Sequence, residues 1–194
     1  MFFKIFLRLK VFGRENFPKD GGVIVAPNHV SFLDPLIVGV AAPRKLNYLA
    51  RSTLFRSKVF AKMLYWVNVS PIKREIGDAN AFKLVLNRLR QQKPVLVFPE
   101  GTRSQDGDLQ EPKSGIGFLQ AVSGASILPC YVKGSREAWP RHSKFPRCGH
   151  VSVHFGKSLR FDEKFSGSKK ERYMYIAREV MRVIEELKRT AEVT

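Results

Sequence analysis

The apolar positions of the chain fall into short, unbroken runs separated by longer periodic stretches. Runs of strand length and strand composition occupy residues 23–26, 46–50, 67–70, 95–99, 127–132 and 151–155. Between several of them the apolar positions recur at helical spacing. Residues 31–42 open on Ser31 with Asp34 three positions on, a capping box. Residues 53–66 carry Leu54, Phe55, Val59 and Met63 at mixed spacing with Lys58 and Lys62. Residues 78–92 place Phe82, Val85, Leu86 and Leu89 on one stripe. Residues 168–189 pair Ser168 with Glu171 as a second capping box and carry Tyr173, Ala177, Val180 and Ile184. Residues 114–132 contain no charge, but Gly115, Gly117, Gly124 and Pro129 punctuate them. They divide into a short helix, a glycine stop and the strand at 127–132 rather than a membrane span. Alternating strands and helices predict an α/β fold: a single domain over 1–194, with a largely parallel or mixed central sheet flanked by helices and a C-terminal helix over 168–190. The longest irregular piece, KGSREAWPRHSKFPRC at 133–148, is basic and aromatic, and loops of that length inside a compact domain are often functional.

Composition changes this picture in one respect. The 194 residues are 44% hydrophobic and 26% charged, as in ordinary globular domains, but 34 Lys and Arg stand against 17 Asp and Glu, for a net charge of +17. Such a surface attracts an anionic partner: nucleic acid, acidic lipid, a phosphorylated substrate or an acidic carrier protein. The opening MFFKIFLRLK interleaves Lys4, Arg8 and Lys10 with its apolar residues and is followed by no cleavage site. Residues 1–10 therefore read as an amphipathic membrane-contact segment and not as a signal peptide.

Three patterns can be set aside. Gly156-Lys157-Ser158 has Val151 where a phosphate-binding loop needs glycine. His142, Cys148, His150 and His154 suggest a metal set, but four residues of strand put His150 and His154 roughly 13 Å apart, too far to share an ion. No metal is expected. No Gly-x-Ser-x-Gly elbow is present for a serine nucleophile.

Two stretches carry chemistry. Asn28 and His29 follow the strand at 23–26, and Asp34 comes five residues after the histidine. A carboxylate beside an imidazole can hold one ring nitrogen protonated and leave the other as a base. Asp34 can equally serve only the helix cap, and His29 be a loop histidine beside it. The second stretch, Phe98-Pro99-Glu100-Gly101-Thr102-Arg103-Ser104, follows the strand at 95–99. It puts a flexible glycine backbone, a hydroxyl and a guanidinium at a second strand end, a combination suited to a phosphate monoester.

Together, Asn28-His29-x-Ser31-x-x-Asp34 and Phe98-Pro99-Glu100-Gly101-Thr102-Arg103 resemble the glycerolipid acyltransferase family, in particular its 1-acylglycerol-3-phosphate acyltransferases. Gly13-x-Glu15-Asn16-Phe17-Pro18, Lys113-x-Gly115 and Ile127-Leu128-Pro129 resemble further blocks of that family, so the likeness runs from about Leu9 to Gly156. The resemblance implies a glycerol-3-phosphate acyltransferase-like fold, with His29 as general base and Asp34 orienting it. It implies that Glu100, Gly101, Thr102 and Arg103 hold the acceptor's phosphate, with Asn28 and Lys113 in support. A further family block, Gly-x-x-Phe-Ile-x-Arg, places its arginine at Arg74 with Lys73 beside it, although Asn68 replaces the glycine and Pro71 the aromatic. The two-helix membrane-docking element that precedes the histidine motif in a bacterial example of this fold is not expected here.

The implied reaction carries an acyl group from acyl-CoA or acyl carrier protein, a co-substrate rather than a cofactor, to the free sn-2 hydroxyl of lysophosphatidic acid. The product is phosphatidic acid, for phospholipid biosynthesis. The expected location is peripheral, on the cytoplasmic side of the cell membrane against an anionic surface. Another lysolipid or glycerol phosphate remains an alternative acceptor. A hydrolase and a non-catalytic basic membrane-binding module remain as other classes. The basic residues form no aromatic-interleaved recognition block, so nucleic acid is not expected as a partner.

Overall fold

The computed structural model describes residues 6–51, 62, 68–72, 77–140, 143, 145–161 and 165–193. The buried run after Gly22 becomes β2 (Val23–Pro27), an inner strand of a sheet that also contains β1 (Lys10–Phe12), β5 (Val95–Leu96), β6 (Ser126–Lys133) and β7 (Ser152–Phe155). Its order is β1-β7-β6-β2-β5. Strand β2 runs parallel to both β5 and β6, and only the β6–β7 pair is antiparallel. A second, parallel pair, β3 (Tyr48–Arg51) and β4 (Val69–Ile72), joins the β5 edge through a bridge between Asn47 and Val95. This is the predicted mixed, largely parallel sheet.

Alternation along β2 explains the layers. Val23 and Val25 face one core with Leu128, Cys130, and Ile37 and Val38 of α1 (Asp34–Ala41). Ile24 and Ala26 face the other, against α2 (Gly77–Arg90), α3 (Gly115–Ser123) and α5 (Lys169–Val193), which contribute Val85, Leu119, Ala177 and Ile184. Helices α3 and α5 touch closely at Gly117, where a Cβ would lie 2.0 Å from the Tyr173 carbonyl oxygen. The Ser168–Glu171 capping box closes in both directions, Ser168 N donating to Glu171 Oε2 at 2.7 Å and Glu171 N to Ser168 Oγ at 3.3 Å.

Three expectations need correction. Helix α1 begins at Asp34, not Ser31, which places Pro35 in the first turn, where its missing N–H costs nothing. Residues 133–148 are not wholly irregular, since β6 runs to Lys133 and Ser135–Ala138 form a short helix, α4. Of the proposed membrane-contact segment 1–10, residues 6–10 belong to the fold: Leu7 is 1% exposed, its carbonyl accepts from Val151 N, and Lys10 opens β1. Residues 1–5 and, Lys62 apart, the 53–66 helix lie outside the described residues.

Candidate active site

Because β2, β5 and β6 are parallel, their carboxyl ends open on the same edge of the sheet, the place where α/β folds hold ligands. Asn28, just past β2, fastens that end. Its Oδ1 accepts from Val132 N at 2.7 Å and its Nδ2 donates to Val132 O at 3.2 Å, so the side chain continues the β2–β6 ladder by one step. The chain then turns, and His29 stands at the edge.

Imidazole Nδ1 lies 2.9 Å from Asp34 Oδ2. The same oxygen accepts from Val30 N and Ser31 N, each at 2.7 Å, and Asp34 is fully buried. A carboxylate that already accepts two backbone N–H groups is fixed as an acceptor. It therefore takes the Nδ1 proton and leaves the lone pair on Nε2. Among the described residues Nε2 has no hydrogen-bond partner, and the His29 side chain is 17% exposed. Phe98 stacks on the imidazole with ring centroids 3.7 Å apart, which sets its plane.

The second strand end meets the first through backbone. Ser104 N donates to His29 O at 2.8 Å and Lys113 N to Pro99 O at 2.9 Å. Gly101 sits at φ 70°, in the left-handed region, and a Cβ there would come 2.9 Å from the Lys113 side chain. Lys113 thus lies across Gly101, with exposed Thr102 beside it and the Arg103 guanidinium 3.5 Å above the Phe32 ring. Gly101, Thr102, Arg103 and Lys113 are therefore gathered on one rim.

Glu100 is placed differently from the expectation. It is 1% exposed and turned inward, its Oε1 accepting from His29 N at 2.9 Å and its Oε2 from Gln110 N at 3.2 Å. With both oxygens taken by backbone donors, it braces the two loops from beneath and turns neither oxygen to the rim. Burial pushes its carboxyl up to about 7, against the pull of those two backbone donors. Arg74 and Lys73 lie outside the described residues. Phe98 opened the second motif without being given a role, and Ser135 was not singled out, although it lies in the flagged loop two residues past a strand. Its hydroxyl donates to Asp34 Oδ1 at 2.5 Å.

An α/β sheet whose strand ends bring a carboxylate-held histidine beside a basic glycine loop defines a family. The family model described as Acyltransferase matches residues 8–133, and the chain belongs to that family. Among its relatives, the chain is 30% identical over 128 residues to the 1-acyl-sn-glycerol-3-phosphate acyltransferase of Bacillus subtilis (strain 168), covering 65% of this chain and 63% of that protein. It is 29% identical over 150 residues to the protein of the same name from Borreliella burgdorferi, covering 76% of this chain and 60% of that one. The matches thus span less than two thirds of either relative. The solved 1-acyl-sn-glycerophosphate (LPA) acyltransferase, PlsC, from Thermotoga maritima superimposes with a TM-score of 0.75 at 28% identity, over 93% of this chain and 72% of that chain.

Proposed function

We propose that the chain transfers an acyl group from a thioester donor to the free sn-2 hydroxyl of 1-acylglycerol 3-phosphate, forming phosphatidic acid. The observation that carries this reading is the His29–Asp34 pair, open at Nε2, beside the rim of Gly101, Arg103 and Lys113. Arg103 and Lys113 hold the acceptor's phosphate, with Arg74 and Lys73 as further phosphate ligands by family resemblance alone. Nε2 removes the acceptor's hydroxyl proton as its oxygen attacks the thioester carbonyl. The carbon–sulfur bond then breaks, and the thiolate leaves with its electron pair and recovers the proton. A thiolate leaves readily, so neither a covalent acyl-enzyme nor a cofactor is called for, and the donor is acyl-CoA or acyl carrier protein.

The same reading sets the chain on an anionic membrane surface, on its cytoplasmic side. The net charge of +17 supports this, as do the exposed Phe32, Leu36 and Val40, which recur every four residues beside His29. No helix among the described residues is long and apolar enough to cross a membrane. The test is a product assay with both donor types and three acceptors: 1-acylglycerol 3-phosphate, glycerol 3-phosphate, and a lysophospholipid without a phosphate monoester. Phosphatidic acid from the first acceptor is expected. Free fatty acid in its place would make the chain a hydrolase.

A further inference from the structure

Four donors converge on the buried carboxylate of Asp34, and they are unevenly shared. His29 Nδ1, Val30 N and Ser31 N all meet Oδ2, whereas the one described donor to Oδ1 is the Ser135 hydroxyl at 2.5 Å. A carboxylate held at one oxygen can pivot about it, and a hydroxyl on the other stops the pivot. We propose that Ser135 is a positioning residue for acyl transfer, whose hydroxyl fixes the rotation of Asp34 so that Oδ2 meets His29 Nδ1 and Nε2 stays aimed at the acceptor. The inference rests on the reading of His29 as the base.

The fold delivers Ser135 to this point with little freedom. Strand β6 ends at Lys133, and Gly134 turns the chain at φ 82°, where a Cβ would lie 2.1 Å from the His150 carbonyl oxygen. Only glycine fits that turn. Ser135 opens α4 and is itself 0% exposed. At the far end of α4 the Ser31 hydroxyl donates to the Trp139 carbonyl at 3.2 Å. The histidine turn is thus tied to the β6 end on both sides of α4. No proton leaves Ser135 in the reaction: it donates to Asp34 throughout, while the acceptor's proton moves to Nε2.

The ionisable groups around Asp34 are His29, Glu100, which burial pushes up to about 7, and Cys130, whose thiol burial pushes far above its usual range. Glu100 and Cys130 are common to parent and variant, so a difference between the two reports on the Ser135 contact. Without the hydroxyl, Asp34 can turn away from Nδ1 and stabilises the imidazolium less, so the ring gives up its proton at lower pH.

The experiment compares the parent protein with Ser135→Ala, Ser135→Thr and His29→Ala by pH–rate profile, by thermal melting and by NMR titration of the His29 imidazole. Ser135→Ala is expected to lower kcat about tenfold. KM for donor and acceptor should stay within about twofold, because no binding group is removed. The acid limb of its profile should move to lower pH, making the loss smaller at pH 6 than at pH 8. Ser135→Thr, which keeps the hydroxyl, should restore both kcat and the limb. If Ser135→Ala does not fold, Ser135→Cys keeps the shape with a weaker donor and the limb is read there. Parent kcat and an unmoved limb in these variants, with His29→Ala inactive, would overturn the role of Ser135 and leave the base assignment standing. Parent rates in His29→Ala would remove the base and the inference together.

Discussion

Glu100 makes the stability of this protein depend on pH in a direction opposite to that of most acidic residues. Its carboxyl moves from an ordinary 4.5 to about 7 on burial, with Asp34 nearby adding to the rise. In the unfolded chain the group loses its proton near 4.5, whereas in the folded chain it keeps the proton until about 7. Between those values the folded state binds more protons. The stability this contributes is complete below 4.5 and is lost as pH rises to about 7. At about 1.4 kcal/mol for each pH unit the loss comes to roughly 3 kcal/mol. Urea unfolding of the parent and of Glu100→Gln at pH 4.5 and pH 7.5 isolates it. The glutamine turns an NH₂ group against the N–H of His29 or Gln110, a mismatch of about 1–3 kcal/mol. At the lower pH the variant should therefore be the less stable protein, and at the higher pH the gap should close or reverse. His154, whose burial favours its neutral form, adds the opposite slope, but equally in both proteins, so it cancels in the difference. Parallel stability curves for parent and variant would refute the assignment of this titration to Glu100.

Replacing His29 by alanine should lower turnover by about 10²–10⁴-fold with little change in the urea midpoint, since a positioned base is removed from a partly exposed site. Asp34→Asn should retain most of the fold, because the amide oxygen still accepts from Val30 N and Ser31 N, while activity falls because Nδ1 is no longer held against a charge. Arg103→Lys should raise KM for the phosphorylated acceptor by about tenfold or more, with donor KM less affected, because the planar fork and its stack on Phe32 are both lost. An equal loss with an acceptor lacking phosphate would remove Arg103 from the cradle. Gly117→Ala should destabilise by about 1–3 kcal/mol or more, read as a drop in Tm, because its methyl group meets the backbone of Tyr173 in α5.

The strands and long helices were legible because burial wrote them into the pattern. The unbroken run at 23–26 is the all-buried β2, and the stripe from Tyr173 to Ile184 is the inner face of α5. Strand β1 was not legible, since three residues at a sheet edge produce no period. The run at 95–99 is a strand only to Leu96, because Phe98 turns inward to lie on His29. At Asp34 the capping-box contact and the partner of a base prove to be one oxygen, which accepts from Ser31 N and meets Nδ1, although α1 itself starts at Asp34 with no side-chain cap. Motifs say which residues gather and not which way a side chain faces, so Glu100 was expected on the phosphate and is instead turned inward onto His29 N and Gln110 N. Ser135 is 101 residues from Asp34, and a lone serine after a strand carries no signal of such a partner.

The placement of charge follows a logic that bears on the proposed acceptor. The surface carries +17 overall, yet the two carboxylates next to His29, Asp34 and Glu100, are both buried and both turned inward onto backbone donors. The interior of the site is therefore acidic and its rim basic. An acceptor with a phosphate at one end and a neutral hydroxyl a few atoms away meets opposite fields at its two ends. In the proposed reading the rim, with Arg103 and Lys113, attracts the phosphate, and the buried Asp34 carboxylate repels it from His29. The hydroxyl, carrying no charge, is free of that repulsion and can approach Nε2. Orientation thus comes from the pairing of an attractive edge with a repulsive floor, which discriminates better than attraction alone. Glu100 would add to that repulsion only above about pH 7, where its carboxyl is ionised.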